Sequence, residues 1–124
     1  MAAIKSYRDL QVWQRAVELA VLVYRHTAAF PKSELYGLTH QMRRASVSVA
    51  SNIAEGFGRS ANEFSHYLEM SRGSLAELET LLELASRLYS PRSTSLERVL
   101  GMADEVGKML RVIQQRLEAK LPRP

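Results

Sequence analysis

The chain has 124 residues, 46% of them hydrophobic and 24% charged, the balance of a globular chain long enough for one domain with its own core. It has no cysteine, which excludes disulfides, thiol nucleophiles and cysteine-based zinc sites together and fits a reducing, cytoplasmic location. The formal charge of +4 is unevenly spread: residues 1–60 carry eight basic and four acidic groups, residues 61–90 two and five, and residues 91–124 seven and four.

Residues 1–7 are expected to form a loose arm. Met1-Ala2-Ala3-Ile4-Lys5 lacks the hydrophobic core of a signal peptide. Helices are expected over about residues 9–27, 38–56, 61–89 and 95–121, within a domain spanning 8–121. Ser6 and Asp9 have capping-box spacing, so the first helix should begin near Arg8 to Leu10. Leu10, Trp13, Val17, Ala20 and Tyr24 form its main apolar stripe, and Val12, Leu19, Leu22 and Val23 lie largely off it. So much apolar surface away from the stripe suggests a second packed face, and with it self-association. The longest apolar run, Leu19 to Tyr24, is far short of the ~20 residues that span a bilayer, so no membrane partner is expected.

Pro31 breaks the chain, because proline cannot continue a helix interior. Ser33 or Thr39 is positioned to cap the second helix. Its apolar positions Leu38, Met42, Ala45, Val49 and Ile53 step by four, three, four and four, one helical face. Around them stand Ser46, Ser48, Ala50, Ser51 and Ala54, small residues of the kind a helix carries where something comes close. Gly56 and Gly58 can supply the left-handed residue that ends a helix. Ser60 and Glu63 have the spacing that starts the next one. The turn between them should bring Arg43 and Arg44 level with Arg72 and Gly73, and close approach to the small Ala45–Ser48 surface would explain a glycine inside a helix.

In the third helix Phe64, Leu68, Ser71, Leu75, Leu78, Leu82, Ala85 and Tyr89 alternate steps of four and three, a heptad seam. Tyr67, Leu81, Leu84 and Leu88 make a second row. Residues Ser90 to Ser95 form the last loop, with Thr94 and Glu97 as another capping pair. The fourth helix shows Leu96, Val99, Ala103, Val106, Leu110, Ile113, Leu117 and Leu121 at similar spacing, and Pro122 ends it. Four helices with short connections imply an all-α, antiparallel up-down-up-down four-helix bundle with shallow crossings.

The candidate chemistry is sparse. Glu63-x-x-His66 has the carboxylate–histidine step of di-iron bundles, but those need two such motifs and the chain has one. No Walker pattern follows a strand, and no nucleophile elbow can form in an all-helical chain. No enzyme activity, metal or cofactor is therefore expected. Arg43, Arg44, Arg59 and Arg72 are the best phosphate-binding candidates, since the planar guanidinium offers two donors at once; each could equally pair with a nearby Glu. Asn52 and Glu55 lie three apart, with Glu55 four before Arg59. They read either as a helix-end network that fixes the turn or as a polar pocket, and Ser74 and Glu77 beside Arg72 invite the same two readings. Trp13 and most tyrosines fall on core seams, which makes them poor base-stacking platforms.

Several blocks together resemble a known family. They are Asp9-Leu10-x-Val12-Trp13 with Ala16, Phe30-Pro31, Tyr36-Gly37-Leu38-Thr39-x-Gln41, Arg43-Arg44-Ala45-x-x-Ser48, Asn52-Ile53-Ala54-Glu55-Gly56 and Arg72-Gly73-Ser74-x-x-Glu77. They are similar to the four-helix bundles encoded in bacterial 23S ribosomal RNA intervening sequences. The resemblance covers residues 7 to about 90, with the fourth helix matching in pattern alone. It implies a ring-like homopentamer without enzymatic activity, distantly similar to the pentameric, basic accessory bundle of diversity-generating retroelements. The resulting expectation is a self-associating bundle that binds structured RNA or other nucleic acid through a basic rim. The alternative is a structural or protein-interaction scaffold that touches no nucleic acid.

Overall fold

A computed structural model describes residues 3–89 and 93–120. Its elements are a 3-10 turn over Tyr7–Asp9, α1 over Gln11–Thr27, a second 3-10 turn over Lys32–Glu34, α2 over Leu38–Gly56, α3 over Ala61–Leu88 and α4 over Thr94–Ala119. Met1, Ala2, the Ser90-Pro91-Arg92 part of the last loop, Leu121 and Pro122 lie outside the described residues.

Cross-helix contacts give the directions. Ser71 Oγ reaches the Val49 carbonyl, Ser48 meets Ser74, and Arg44 meets Glu77, so α2 and α3 run antiparallel. Arg72 and Ser65 both reach Gln114, while Gly107 faces Leu75, so α3 and α4 do too. Arg15 pairs with Glu105 and His26 with Ser95, which sets α1 antiparallel to α4. The three relations together require the up-down-up-down order.

The core is a continuous apolar cluster along the bundle axis. Leu19, Met42, Ile53, Leu68, Leu78, Leu82 and Leu110 are fully buried in it, each contributing roughly 1.5–3 kcal/mol. The α2, α3 and α4 seams lie where their periodicity places them, except near the ends. Tyr89 is exposed, Ile113 and Leu117 are half-buried, and polar Gln114 is buried instead.

Helix α1 departs from expectation. Val12, Ala16, Leu19 and Val23 face the core, whereas Trp13, Val17 and Ala20 are half-buried and Tyr24 is exposed. Both rows have helical spacing. The row with small Ala16 and branched valines packs against the core, and the row with the bulky rings borders solvent.

The ends are also set by details that spacing alone misplaces. The Ser6–Asp9 capping box forms, but it caps only the 3-10 turn. Asp9 accepts the Lys5 and Ser6 N–H groups, and the chain extends at Leu10 before α1 begins. Neither Ser33 nor Thr39 caps α2. The Glu34 carboxylate accepts the Leu38 N–H instead, at 3.2 Å. A Cβ at Gly37 would stand 2.6 Å from that oxygen, so glycine leaves room for the cap. Ser60 caps α3 as expected, by accepting the Glu63 N–H. The α4 cap is Ser93, which accepts from Leu96, and Thr94 is the first helical residue.

Candidate nucleic-acid interface

The hairpin of α2 and α3 is closely packed, as its small residues suggest. Ser46 and Ser71 are fully buried, and Ser71 Oγ donates to the Val49 carbonyl at 2.8 Å. Asn52 Nδ2 donates to the Ser48 carbonyl at 2.9 Å, and the Ser48 hydroxyl lies 2.9 Å from that of Ser74. Asn52 and Ser74 thus belong to one chain of hydrogen bonds across the two helices. Glu55 is outside it. Its side chain is exposed, and Arg59 bonds its backbone carbonyl at 2.7 Å and pairs with Glu63 at 3.5 Å. Gly58 takes the left-handed conformation at φ 88°. Gly73 does not serve close approach: nothing lies within 4 Å of where its Cβ would be, and it faces solvent.

The four arginines do not share a rim. In the observed register Arg44 is level with Glu77, at 3.5 Å. Arg72 stands more than a turn further along α3. There its guanidinium donates to Gln114 Oε1 at 2.8 Å, and Gln114 Nε2 reaches the Ser65 carbonyl at 3.4 Å. Arg59 lies at the hairpin tip over the Tyr67 ring, 4.9 Å from its centre. The expected juxtaposition of Arg43 and Arg44 with Arg72 is therefore not formed, because the short turn at Phe57 to Ser60 sets a register in which positions 48 and 74 meet.

Arg43 and Arg44 do come together with other residues. They line a groove of about 480 Å³ with Tyr24, Leu35, Tyr36, His40 and Val47. Arg43 is held there by its Nε bond to Thr27 Oγ1, at 2.9 Å, and lies 4.6 Å over the Tyr24 ring. Arg44 remains 59% exposed in its side chain. Glu77 pairs with Arg44, and Glu34 accepts the Leu38 N–H and the Tyr89 hydroxyl. The Tyr89 bond, together with the Leu38 N–H, lowers the Glu34 pKa, and the same contact raises that of Tyr89. Tyr36 is 90% exposed, and Tyr24 and Tyr89, which their spacing placed on core seams, are exposed as well. Sequence reading missed Tyr24, Tyr36 and His40. The available signal for Tyr36 was its place between a proline-led turn and a glycine, outside any helical stripe.

A second surface lies on the other flank of α1. Two largely apolar hollows run between α1 and α4, one lined by Leu10, Met109, Val112 and Ile113 together with Lys108 and Arg116, and the other by Val17, Val21, Leu22 and Met102 together with Glu18, Arg25 and Arg98. Arg15 pairs with Glu18 and, at 3.3 Å, with Glu105 across the helices. Glu63 is engaged by Arg59 and Ser60, and His66 is exposed. Among the described residues no three His, Cys, Asp or Glu side chains gather as a metal would require. No described helix is long and apolar enough to cross a membrane.

The fold defines an all-α protein, an antiparallel four-helix bundle with a tight central hairpin. The model of the 23S rRNA-intervening sequence protein family matches residues 8–112, and the chain belongs to that family. A similar solved structure is the crystal structure of a protein of unknown function from the S23 ribosomal protein family of Bacteroides thetaiotaomicron. It aligns with a TM-score of 0.72 at 23% identity, over 83% of this chain and 97% of that one. That likeness concerns the fold. No curated protein matches the chain.

Proposed function

We propose that the protein is a non-enzymatic, self-associating bundle that binds structured RNA. The observation that carries this reading is the groove between α1 and α2, where Arg43, Arg44 and His40 stand together beside the exposed Tyr36. Arginine suits phosphate through its planar pair of donors. A cluster of basic side chains on one face is the footprint of a nucleic-acid partner, and here Arg44 shares its charge with Glu77 at 3.5 Å. Of the four arginines, Arg44 is the principal phosphate ligand, because its side chain is 59% exposed and its pair with Glu77 is a long, exposed one of the kind that contributes little, whereas Arg43 and Arg72 are bonded to Thr27 and Gln114.

Self-association is assigned to the apolar hollows between α1 and α4, with five subunits as the family resemblance implies. A ring would repeat the groove and turn a weak contact into avidity. The same apolar face supports the second reading, a protein-interaction scaffold without RNA.

The test is binding of a fluorescent RNA hairpin across a salt series, with a DNA hairpin beside it and light scattering for subunit number. Engagement of about five phosphates predicts a log–log salt slope of about −4. Arg44→Glu should abolish binding while helical content and subunit number persist. Absence of binding at low salt would leave the scaffold reading.

A further inference from the structure

The groove differs from a plain basic patch in carrying aromatic rings. Tyr36 is 90% exposed, so its ring adds little to the core. Its backbone is nevertheless tied down on both sides. The Leu35 N–H bonds the Lys32 carbonyl at 3.1 Å and the Gly37 N–H bonds the Glu34 carbonyl at 3.0 Å. The Glu34 side chain also joins this segment to the start of α2 and to Tyr89. The ring is therefore displayed on an anchored turn. Beside it, Tyr24 is 46% exposed, and Arg43 stacks over its ring while bonded to Thr27.

We propose that this groove binds unpaired RNA nucleotides, with a base stacked on Tyr36 and the adjoining phosphate on Arg44 and His40. The inference rests on the RNA-binding reading and names the kind of RNA. Bases in a duplex keep their faces covered by stacking, whereas loops and single strands present them to aromatic side chains. Rings beside cations match both halves of a nucleotide. A second copy of this chain is a poorer occupant. A two-fold contact through the groove would set its arginines against each other, and for the unlike contacts of a ring the largely apolar face between α1 and α4, on the other flank of α1, is the better surface.

The experiment compares fluorescence anisotropy of an oligouridine strand and a blunt RNA duplex of equal length, at low salt, with the full chain. The single strand should bind more tightly. Tyr36→Ala should weaken it about 5- to 150-fold, the range for loss of one stacked base, and leave duplex affinity unchanged. Tyr36→Phe should bind like the parent, since stacking needs the ring and not the hydroxyl. Circular dichroism and light scattering should be unaltered in both variants, given the exposure of Tyr36. Equal affinity for strand and duplex, or full affinity in Tyr36→Ala, would overturn the stacking proposal while RNA binding stood. A changed subunit number in Tyr36→Ala would assign the groove to a second copy and overturn it too. Failure of both RNAs to bind would overturn the RNA reading itself.

Discussion

Gly56, in the last turn of α2, faces Tyr67 on α3 so closely that a Cβ added to it would stand 2.5 Å from the Tyr67 Cβ. Gly73, also helical, has nothing within 4 Å of the same position. Two glycines on the same hairpin therefore have opposite meanings, one required by packing and the other unconstrained by it within the subunit.

This contrast predicts opposite effects of one methyl group. Gly56→Ala should destabilise the fold by about 1–3 kcal/mol, the usual cost of overpacking, because the atom it meets is near the backbone of α3 and cannot swing away. Gly73→Ala should stabilise by about 0.5–1 kcal/mol, since alanine suits an exposed helix interior better than glycine. Urea midpoints of the two variants and the parent, at one protein concentration, check both signs.

Ser71 offers a second test of the hairpin. It is fully buried, and its hydroxyl donates to the Val49 carbonyl of the facing helix. Ser71→Ala should cost about 0.5–1.5 kcal/mol, the net worth of one such bond. Ser71→Val should cost more, because added methyls must fit where α2 and α3 already touch. Denaturation of the two variants should rank them in that order.

Stability should also fall on mild acidification through His26. Its ring is buried at the end of α1, with Nδ1 2.8 Å from the Ser95 hydroxyl and the Phe30 ring at its edge. Burial lowers its pKa below the ordinary 6.5. The unfolded chain then binds the proton more readily, so its contribution is present above about pH 6.5 and is lost as pH falls towards the folded value. Glu34 has a lowered pKa as well, but its contribution fades only below its ordinary 4.5. A fall in urea midpoint between pH 7.5 and 5.5 should therefore shrink in His26→Gln and persist in Glu34→Gln.

How much of this could be read in advance depended on how many solutions the residues allowed. The seams of α2, α3 and α4 offered one apolar face each, and Met42, Leu68, Leu78 and Leu110 are buried accordingly. Helix α1 offered two faces of equal period, and side-chain bulk rather than period chose between them. Capping spacings were ambiguous by a residue, as Ser93 and Thr94 show. The cap of α2 depends on a carboxylate and a facing glycine, a pair that no spacing rule predicts. For the site, the basic residues were legible as residues but their grouping was not, because it follows from helix register. Arg43 and Arg44 were adjacent in sequence and stayed together; Arg72 went to α4.

The separation of Arg72 from the groove gives the sharpest test of that grouping. Its guanidinium donates to Gln114 Oε1 at 2.8 Å, and Gln114 is 5% exposed. Arg72→Met should remove the donor and leave a buried amide oxygen without it, a cost of about 1–3 kcal/mol. Adding Gln114→Leu should return part of that loss, because replacing both polar partners by apolar ones removes the unsatisfied group. The thermodynamic cycle from urea denaturation measures this coupling. The same Arg72→Met variant should bind RNA with an unchanged salt slope, whereas Arg44→Ala should make the slope shallower by about 0.7–0.9, the value of one phosphate contact. A shallower slope in Arg72→Met would place α3 and α4 at the RNA surface and enlarge the interface beyond the α1–α2 groove.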